Sequence, residues 1–281
     1  MIPEIVIKPR SKFSFGFKEL WQYRELLYFF TWKDIKVRYK HVALGVLWTV
    51  IQPLFLMFVF VYFLGDTFIK GDSQTIPKPI FYFSGLLFWN FFSQGVSASA
   101  NSMVSNANII KKIYFPRLII SISAVLTSAF DFFITTIVFI GFIAYIDIQN
   151  SNFDINWFGI LGAIFVAFII TFVFTVSMGT LLAAINVKYR DVRYAIPFII
   201  QALFFLSPII YSATKISNTT LKALYTSLPI NFAIELCRNS LTISDQNQNM
   251  SVVLMIGILG VFIFSAIFVF RKVESYMADI I

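Results

Sequence analysis

"ALGVLWTVIQPLFLMFVFVYFL", residues 43–64, runs for twenty-two positions without a charged side chain. A bilayer core of about 30 Å is crossed by about 20 helical residues, each rising 1.5 Å. This stretch therefore predicts a transmembrane helix, and five more segments repeat its character: roughly 79–100, 118–146, 157–185, 194–211 and 251–270. The third and fourth spans are long enough to tilt or to project from the bilayer. The fifth is short and holds Pro197 and Pro208, which predicts a kink or a broken end.

Composition agrees with this reading. The 281 residues are 58% hydrophobic and 13% charged, and the mean hydropathy is +0.80. A soluble domain lies near ~45–50% apolar and ~25% charged. Apolar material is spread through the whole chain, so we expect one membrane domain over 1–281. It divides into a cytoplasmic and interfacial segment (1–42), a six-span region (43–270) and a cytoplasmic tail (271–281). The net charge of +8 does not indicate nucleic acid, because the basic residues fall between apolar segments and form no single stripe. The single cysteine, Cys237, and single histidine, His41, exclude an internal disulfide and a Cys/His metal cluster. Nothing in the first 40 residues has the run and flanks of a cleaved signal peptide.

Lys and Arg in the connections set orientation. The N-terminal segment, the 2–3 and 4–5 connections and the tail together hold seventeen; the other three connections hold five. Both termini are therefore expected in the cytoplasm. Ahead of the first span, "FKELWQYRELLYFFTWKDIKVRYK" (17–40) places Phe17, Trp21, Tyr28, Trp32, Ile35 and Tyr39 at helical spacing. Such a helix suits the plane of the membrane interface; packing on a partner protein is the alternative. Residues 221–241 are helical in composition but too polar to span. Two short helices broken near Pro229 and dipping into the outer leaflet are expected there, since non-helical backbone at that depth survives only against protein or water.

Acid–base or metal chemistry needs clustered acids or a His/Asp/Glu set. The acids on the cytoplasmic side are scattered, and no H-E-x-x-H, D-x-D or P-loop pattern occurs. We expect no catalytic residue, no metal and no cofactor in this chain. Asp131, in "LTSAFDFFITT", is the ionisable residue inside a span, which makes it a functional candidate. It either ties helices together through nearby Ser, Thr, Asn or Gln, or touches substrate. Aromatic rings near span ends, Trp48 and Trp89 among them, form an interfacial belt or line a path.

Two connections are compact, basic and aromatic: "SNANIIKKIYFPRLII" (105–120) and "INVKYRDVRYAIPF" (185–198). A membrane anchor needs only charge. Aromatics beside Arg are also what a protein interface uses.

Together with "WKDIKVRYKHVALGVLWTVIQPL" (32–54), "GLLFWNFFSQGVSASANSMVSNANIIKKIYFPRLII" (85–120), "INVKYRDVRYAIPFIIQALFFLSPIIY" (185–211) and "LPINFAIELCR" (228–238), these motifs give the chain a close resemblance. It resembles the permease subunit of ABC-2 type exporters of bacterial polysaccharides (O-antigen, capsule, teichoic acid), most of all the lipopolysaccharide O-antigen branch. The resemblance implies an all-α membrane protein of six transmembrane helices. It also implies an N-terminal interfacial amphipathic helix, cytoplasmic coupling helices, and re-entrant helices between spans 5 and 6.

It further implies a homodimer in the bacterial inner membrane, served by two copies of a nucleotide-binding ATPase subunit that carries ATP and Mg. The substrate would be a lipid-linked polysaccharide, on undecaprenyl diphosphate. Loop 101–117 corresponds to the main coupling helix, with Asn106, Asn108, Lys111, Lys112, Tyr114, Phe115, Pro116 and Arg117 as ATPase-docking residues. Residues 186–194 supply a second contact through Tyr189, Arg190, Asp191 and Arg193. Path or structural candidates are Trp48, Gln52, Trp89, Asp131, Gln201 and Tyr211. Lys33, Lys36, Arg38 and Lys40 stand near the interface, where Lys and Arg meet a pyrophosphate or serve as anchors. Where the family often has Asn-Pro, this chain has Leu228–Pro229. An ATP-independent flippase, a polyprenyl-phosphate sugar transferase and a drug or small-lipid permease are the rivals. The first two lack the buried ionisable groups or acid clusters they would need.

Overall fold

The computed structural model describes residues 17–40, 45–68, 76–149, 156–189, 191–211, 218–241 and 249–274. Every element among them is a helix: α1 (Phe17–Gln22), α2 (Arg24–Tyr39), α3 (Leu47–Phe68), α4 (Lys78–Ser105), α5 (Ala107–Lys112), α6 (Leu118–Gln149), α7 (Trp157–Lys188), α8 (Val192–Leu206), α9 (Thr219–Thr226), α10 (Pro229–Asn239) and α11 (Asn249–Glu274).

Each predicted span has its helix, with ends moved by a few residues. Four described helices are long and apolar enough to cross a membrane: Leu47–Gly65, Leu118–Gln149, Trp157–Lys188 and Met250–Glu274. The other two depart from that standard for different reasons. α4 is long, but its second half reads "SQGVSASANSMVS"; Ser93, Asn101 and Ser102 donate to carbonyls of α4 itself, while Ser102 also meets Ser121 of α6 and Asn101 meets Asn186 of α7. α8 is apolar but only 15 residues long. It keeps Pro197 within its body and stops at Leu206, because Ser207, which precedes Pro208, is extended (φ −94°, ψ 150°) and a residue before proline avoids the helical region.

α4 is the axis of the bundle, buried along most of its length. It runs antiparallel to α6, with Phe83 against Phe139 (ring centroids 5.3 Å), Phe88 against Phe132 (5.5 Å) and the Ser102 and Ser121 hydroxyls 3.4 Å apart. It runs parallel to α7, where Phe92 stacks on Phe174 at 5.2 Å. Two glycines allow that pair to touch. A Cβ on Gly95 would lie 2.6 Å from Thr175 Cγ2, and one on Gly179 would lie 2.6 Å from Ser99 Cβ. Small residues four apart on both helices thus bring the backbones together, the usual device of membrane helix pairs. Below that crossing, the buried Asn186 donates from Nδ2 to the Ala100 carbonyl at 2.9 Å. α11 packs on the far side of α7, with Phe262 against Phe174 (5.1 Å).

Four buried threonine hydroxyls do not burden this apolar core. Thr127, Thr171, Thr175 and Thr180 each donate to the carbonyl four residues back in their own helix, at 2.7–3.0 Å. The donor is satisfied without a partner helix.

The segment 17–40 breaks at Tyr23 into α1 and α2. α2 lies along the first half of α6, from Phe30 against Phe115 (5.8 Å) to Tyr39 against Phe130 (6.1 Å). α3 begins where α2 leaves off: Thr135 Oγ1 of α6 donates to the Thr49 carbonyl at 3.4 Å. Farther on, Phe60 of α3 meets Tyr82 and Phe204. α9 and α10 form two short helices that meet just before Pro229. Asn218 Oδ1 caps the first by accepting from the Thr220 and Leu221 amides, and Pro229 opens the second at a position where its missing N–H costs nothing.

Candidate functional site

At one end of the bundle, the two basic connections come out side by side with the C-terminal end of α11. Asn106 ends α4 and folds its own amide back onto the Ser102 carbonyl (2.9 Å), which turns the chain into α5. Asn108, Lys111, Lys112 and Tyr114 (64% exposed) face outward, and Ile113, not singled out in the sequence, joins them. Phe115 (5% exposed) and Pro116 turn inward. Phe115 forms the floor under this segment with Phe30, Ile119 and Phe270. Arg117 also points inward, donating from Nη1 to the Glu274 carbonyl at 2.7 Å, while Arg271 pairs with Glu274 at 2.8 Å. The eight candidates of this loop therefore divide into an outward-facing set and a set that anchors it. At the second connection, Tyr189, Asp191 and Arg193 are exposed, and the Lys188 ammonium stands 4.9 Å over the Tyr189 ring. Arg190 lies outside the described residues.

A second cluster joins α2 to α6. Asp131, thirteen residues into α6 and so about 20 Å from its start, accepts from Arg38 Nη1 on Oδ2 and from the Tyr39 hydroxyl on Oδ1. Its carboxylate is 7% exposed, and the Arg38 side chain 34%. In place of the neutral Ser, Thr, Asn or Gln partners expected from the sequence, the carboxylate is held by a cation and a phenol. Neither is near it in the chain, so no local pattern could have paired them. Burial first, and donation to Asp131 second, raise the Tyr39 pKa above the ordinary tyrosine value; the phenol stays protonated and keeps donating.

The four candidate lipid-phosphate residues are not equivalent. Lys33, Lys36 and Lys40 fall at i, i+3 and i+7 on one side of α2. Lys33 pairs with Asp34 at 3.3 Å, and Lys36 lies 5.5 Å over the Trp32 ring, itself stacked on Tyr28. Trp21, Tyr28 and Trp32 are exposed beside them. Arg38 alone turns toward α6.

Among the path candidates, Trp48 and Gln52 on α3 and Gln201 on α8 are exposed at the side of the bundle. Trp89 is a core residue, packed between Phe92 (5.5 Å) and Phe204 (5.4 Å). Tyr211 stacks on Tyr225 and donates to the Phe205 carbonyl at 3.0 Å.

Sequence reasoning missed Arg238. It is 2% exposed and donates from Nη1 to the Pro208 carbonyl (2.5 Å), from Nη2 to the Phe81 carbonyl (2.9 Å) and from Nε to Ser84 Oγ (3.3 Å). Its guanidinium lies 3.5 Å over the Phe81 ring and 3.6 Å from Glu235. Gly85 makes room for it: a Cβ there would be 3.0 Å from Nη2. Burial lowers its pKa to about 10, with Glu235 the main opposing influence, so it is a cation at neutral pH. The signal available was a lone Arg on the amphipathic segment "PINFAIELCRN". Neighbouring Cys237 is fully buried and its thiol is pushed up to about 12 by desolvation, a packed and unreactive residue. Among the described residues, no three His, Cys, Asp or Glu side chains gather as metal ligands would.

Long apolar helices wrapped around a buried, tightly crossed pair define a multi-pass membrane protein. Residues 25–242 match the ABC-2 type transporter family, and the chain belongs to that family, as a membrane permease subunit. It is 30% identical over 212 residues to the O-antigen export system permease protein RfbA of Myxococcus xanthus, covering 75% of this chain and 77% of that one. It is 31% identical over 195 residues to an O-antigen export system permease protein RfbA of Klebsiella pneumoniae, covering 68% and 71%.

Proposed function

We propose that this chain is the membrane-spanning subunit of an ATP-driven exporter that moves a lipid-linked polysaccharide of the O-antigen type across the bacterial cytoplasmic membrane. The similarity to O-antigen permeases over three quarters of both chains carries this reading. In it, α3, α4, α6, α7, α8 and α11 are six spans, with both termini and the basic end in the cytoplasm. α4 spans despite its polar half, because that half is shielded by α6 and α7. α1 and α2 lie at the interface, their Trp and Lys side chains at headgroup level. α9 and α10 are the re-entrant pair.

The permease works as a homodimer with two copies of a separate ATPase subunit, which holds ATP and Mg. Asn108, Lys111, Lys112, Ile113 and Tyr114, with Tyr189, Asp191 and Arg193, form the ATPase-docking surface; their exposure supports this. Gln52 and Gln201 are polar groups exposed within apolar stretches of α3 and α8, where lipid would leave them unsatisfied. They face the translocation path between the two copies. The carrier is undecaprenyl diphosphate, with Lys33, Lys36 and Lys40 nearest its headgroup. Capsule, teichoic acid or a small lipid or drug is the alternative cargo for the same fold.

Deletion of the chain, followed by fractionation of lipid-linked glycan, tests the reading. Glycan should accumulate on the inner face of the membrane. Normal surface glycan would refute it.

A further inference from the structure

The Arg38–Asp131–Tyr39 cluster is more than a weld between two helices. Both oxygens of Asp131 are taken, one by a guanidinium and one by a phenol, and both donors come from the last turn of α2. A carboxylate held in this way has the shape and charge sign of a phosphate edge, and a guanidinium fork accepts either. The two partners differ in setting. Asp131 is sunk in α6, whereas a third of Arg38 stays open, and exposed Lys40 follows it at the end of α2. This is where the chain leaves α2 for α3, beside Thr49 and Thr135. Arg38 is reached at this helix end, on the side of α2 opposite Lys33 and Lys36, through the third of its side chain that stays open.

We propose that Arg38 is an exchangeable anion site: Asp131 occupies it at rest, and the diphosphate of a prenyl-linked substrate replaces Asp131 there, releasing the last turn of α2 from α6. This rests on the lipid-diphosphate reading of α2 given above and adds the group with which the substrate must compete. A ligand shifts such an equilibrium only by binding one state better. A diphosphate that takes the Nη1 edge of Arg38 meets that condition, because Asp131 Oδ2 holds that edge at rest and must leave it first. Asp131 is not stranded, since lifting α2 removes Tyr39 as well and opens the carboxylate to water. At the far end of α2 the attachment of Phe30 to Phe115 is apolar and independent of charge, so the helix pivots there, and Tyr39 leaves Phe130 as the last turn lifts.

The test uses the full chain, with the subunits that co-purify, in phosphatidylcholine nanodiscs. Farnesyl diphosphate is the probe; farnesol and inorganic pyrophosphate are the comparison arms. Asp131→Asn, which keeps the shape and removes the competing charge, should bind farnesyl diphosphate about tenfold more tightly. Arg38→Gln should weaken binding, and the double variant should lose the gain. Spin labels at exposed Val37 and Phe133 should move apart in otherwise wild-type protein on adding farnesyl diphosphate, but not farnesol. Unchanged or weaker binding by Asp131→Asn would overturn the exchange, as would no binding of the probe to wild type or an unchanged label distance. Inorganic pyrophosphate acting as well as the lipid, or phosphatidylglycerol nanodiscs alone separating the labels, would overturn the prenyl-lipid assignment. If Asp131→Asn does not fold, the label distance decides. Failure here with normal glycan export removes only the exchange; lost exchange-independent export strikes the transport reading.

Discussion

Gly95 of α4 and Thr175 of α7 are so close that a Cβ on the glycine would stand 2.6 Å from the threonine methyl. One turn along both helices, Ser99 and Gly179 repeat the approach with the roles reversed. The crossing that centres the bundle thus has no spare volume, and rigid attachment of α4 to α7 follows. Gly95→Ala should destabilise the protein by about 1–3 kcal/mol, the range for overpacking. Thr175→Ala, which removes the methyl, should recover much of the loss. Gly162→Ala, where nothing lies within 4 Å, should be silent. Thermal unfolding in detergent checks all three; additive losses in the Gly95/Thr175 double variant would refute the packing argument.

Arg238 joins α10 to the start of α4 and the end of α8, where the Pro208 carbonyl lies beyond the last turn of its helix. Arg238→Met keeps much of the volume and removes the donors, leaving the buried Pro208 oxygen without its guanidinium partner and Glu235 without its cation. A loss of about 3 kcal/mol is expected, between the cost of an orphaned carbonyl and that of a broken buried pair. Arg238→Lys should fall between, since an ammonium is a point charge and cannot fork to three acceptors. A melting temperature equal to wild type in Arg238→Met would show the hub to be dispensable.

Tyr114 and Phe115 are chain neighbours with opposite settings. Tyr114→Ala should leave the melting temperature unchanged and lower the ATPase activity coupled to transport. Phe115→Ala should cost about 3–5 kcal/mol, as buried aromatics do, and lower expression first. Similar effects of the two on stability would contradict the division of this loop into an outward face and an anchor. Asp191→Ala with Arg193→Ala should behave as Tyr114→Ala does.

Gln52→Leu combined with Gln201→Leu separates lipid from path. On a lipid-facing surface the change would leave export intact and raise stability. Facing a sugar-conducting path, it should reduce surface glycan several-fold, with normal insertion and folding. Pulse-labelled glycan at the cell surface is the measurement.

Much of this architecture was legible because membrane helices are local objects. Residues 43–64, 118–146 and 157–185 announce themselves by length and apolarity alone; the fifth span, carried to 211 with a kink or a broken end at its prolines, in fact stops before Pro208 and keeps Pro197 inside the helix. The helix pair broken at Pro229 was visible for the same reason. The polar half of α4 was less legible: 79–100 reads as a span, but the sequence does not say that "SQGVSASANSMVS" is surrounded by other helices. The outward and inward halves of 106–117 were equally hidden: Tyr114 and Phe115 are both aromatic, and only the packing of Phe30, Ile119 and Phe270 separates them.

The sequence by itself determined that the chain is helical, that it belongs in a membrane, and which connections carry positive charge. Each of these depends on residues within one or two turns of each other. Tertiary structure alone decided who meets whom: Arg38 and Tyr39 with Asp131, Arg238 with Pro208 and Phe81, Gly95 with Thr175. Those pairs lie far apart in the chain, and a buried charge or a missing Cβ has meaning only once the opposing surface is in place. Asp131 shows the difference most plainly. From the sequence it is an isolated acid in an apolar run. In the fold it is the buried ion-pair partner of Arg38, which reaches it from the last turn of α2.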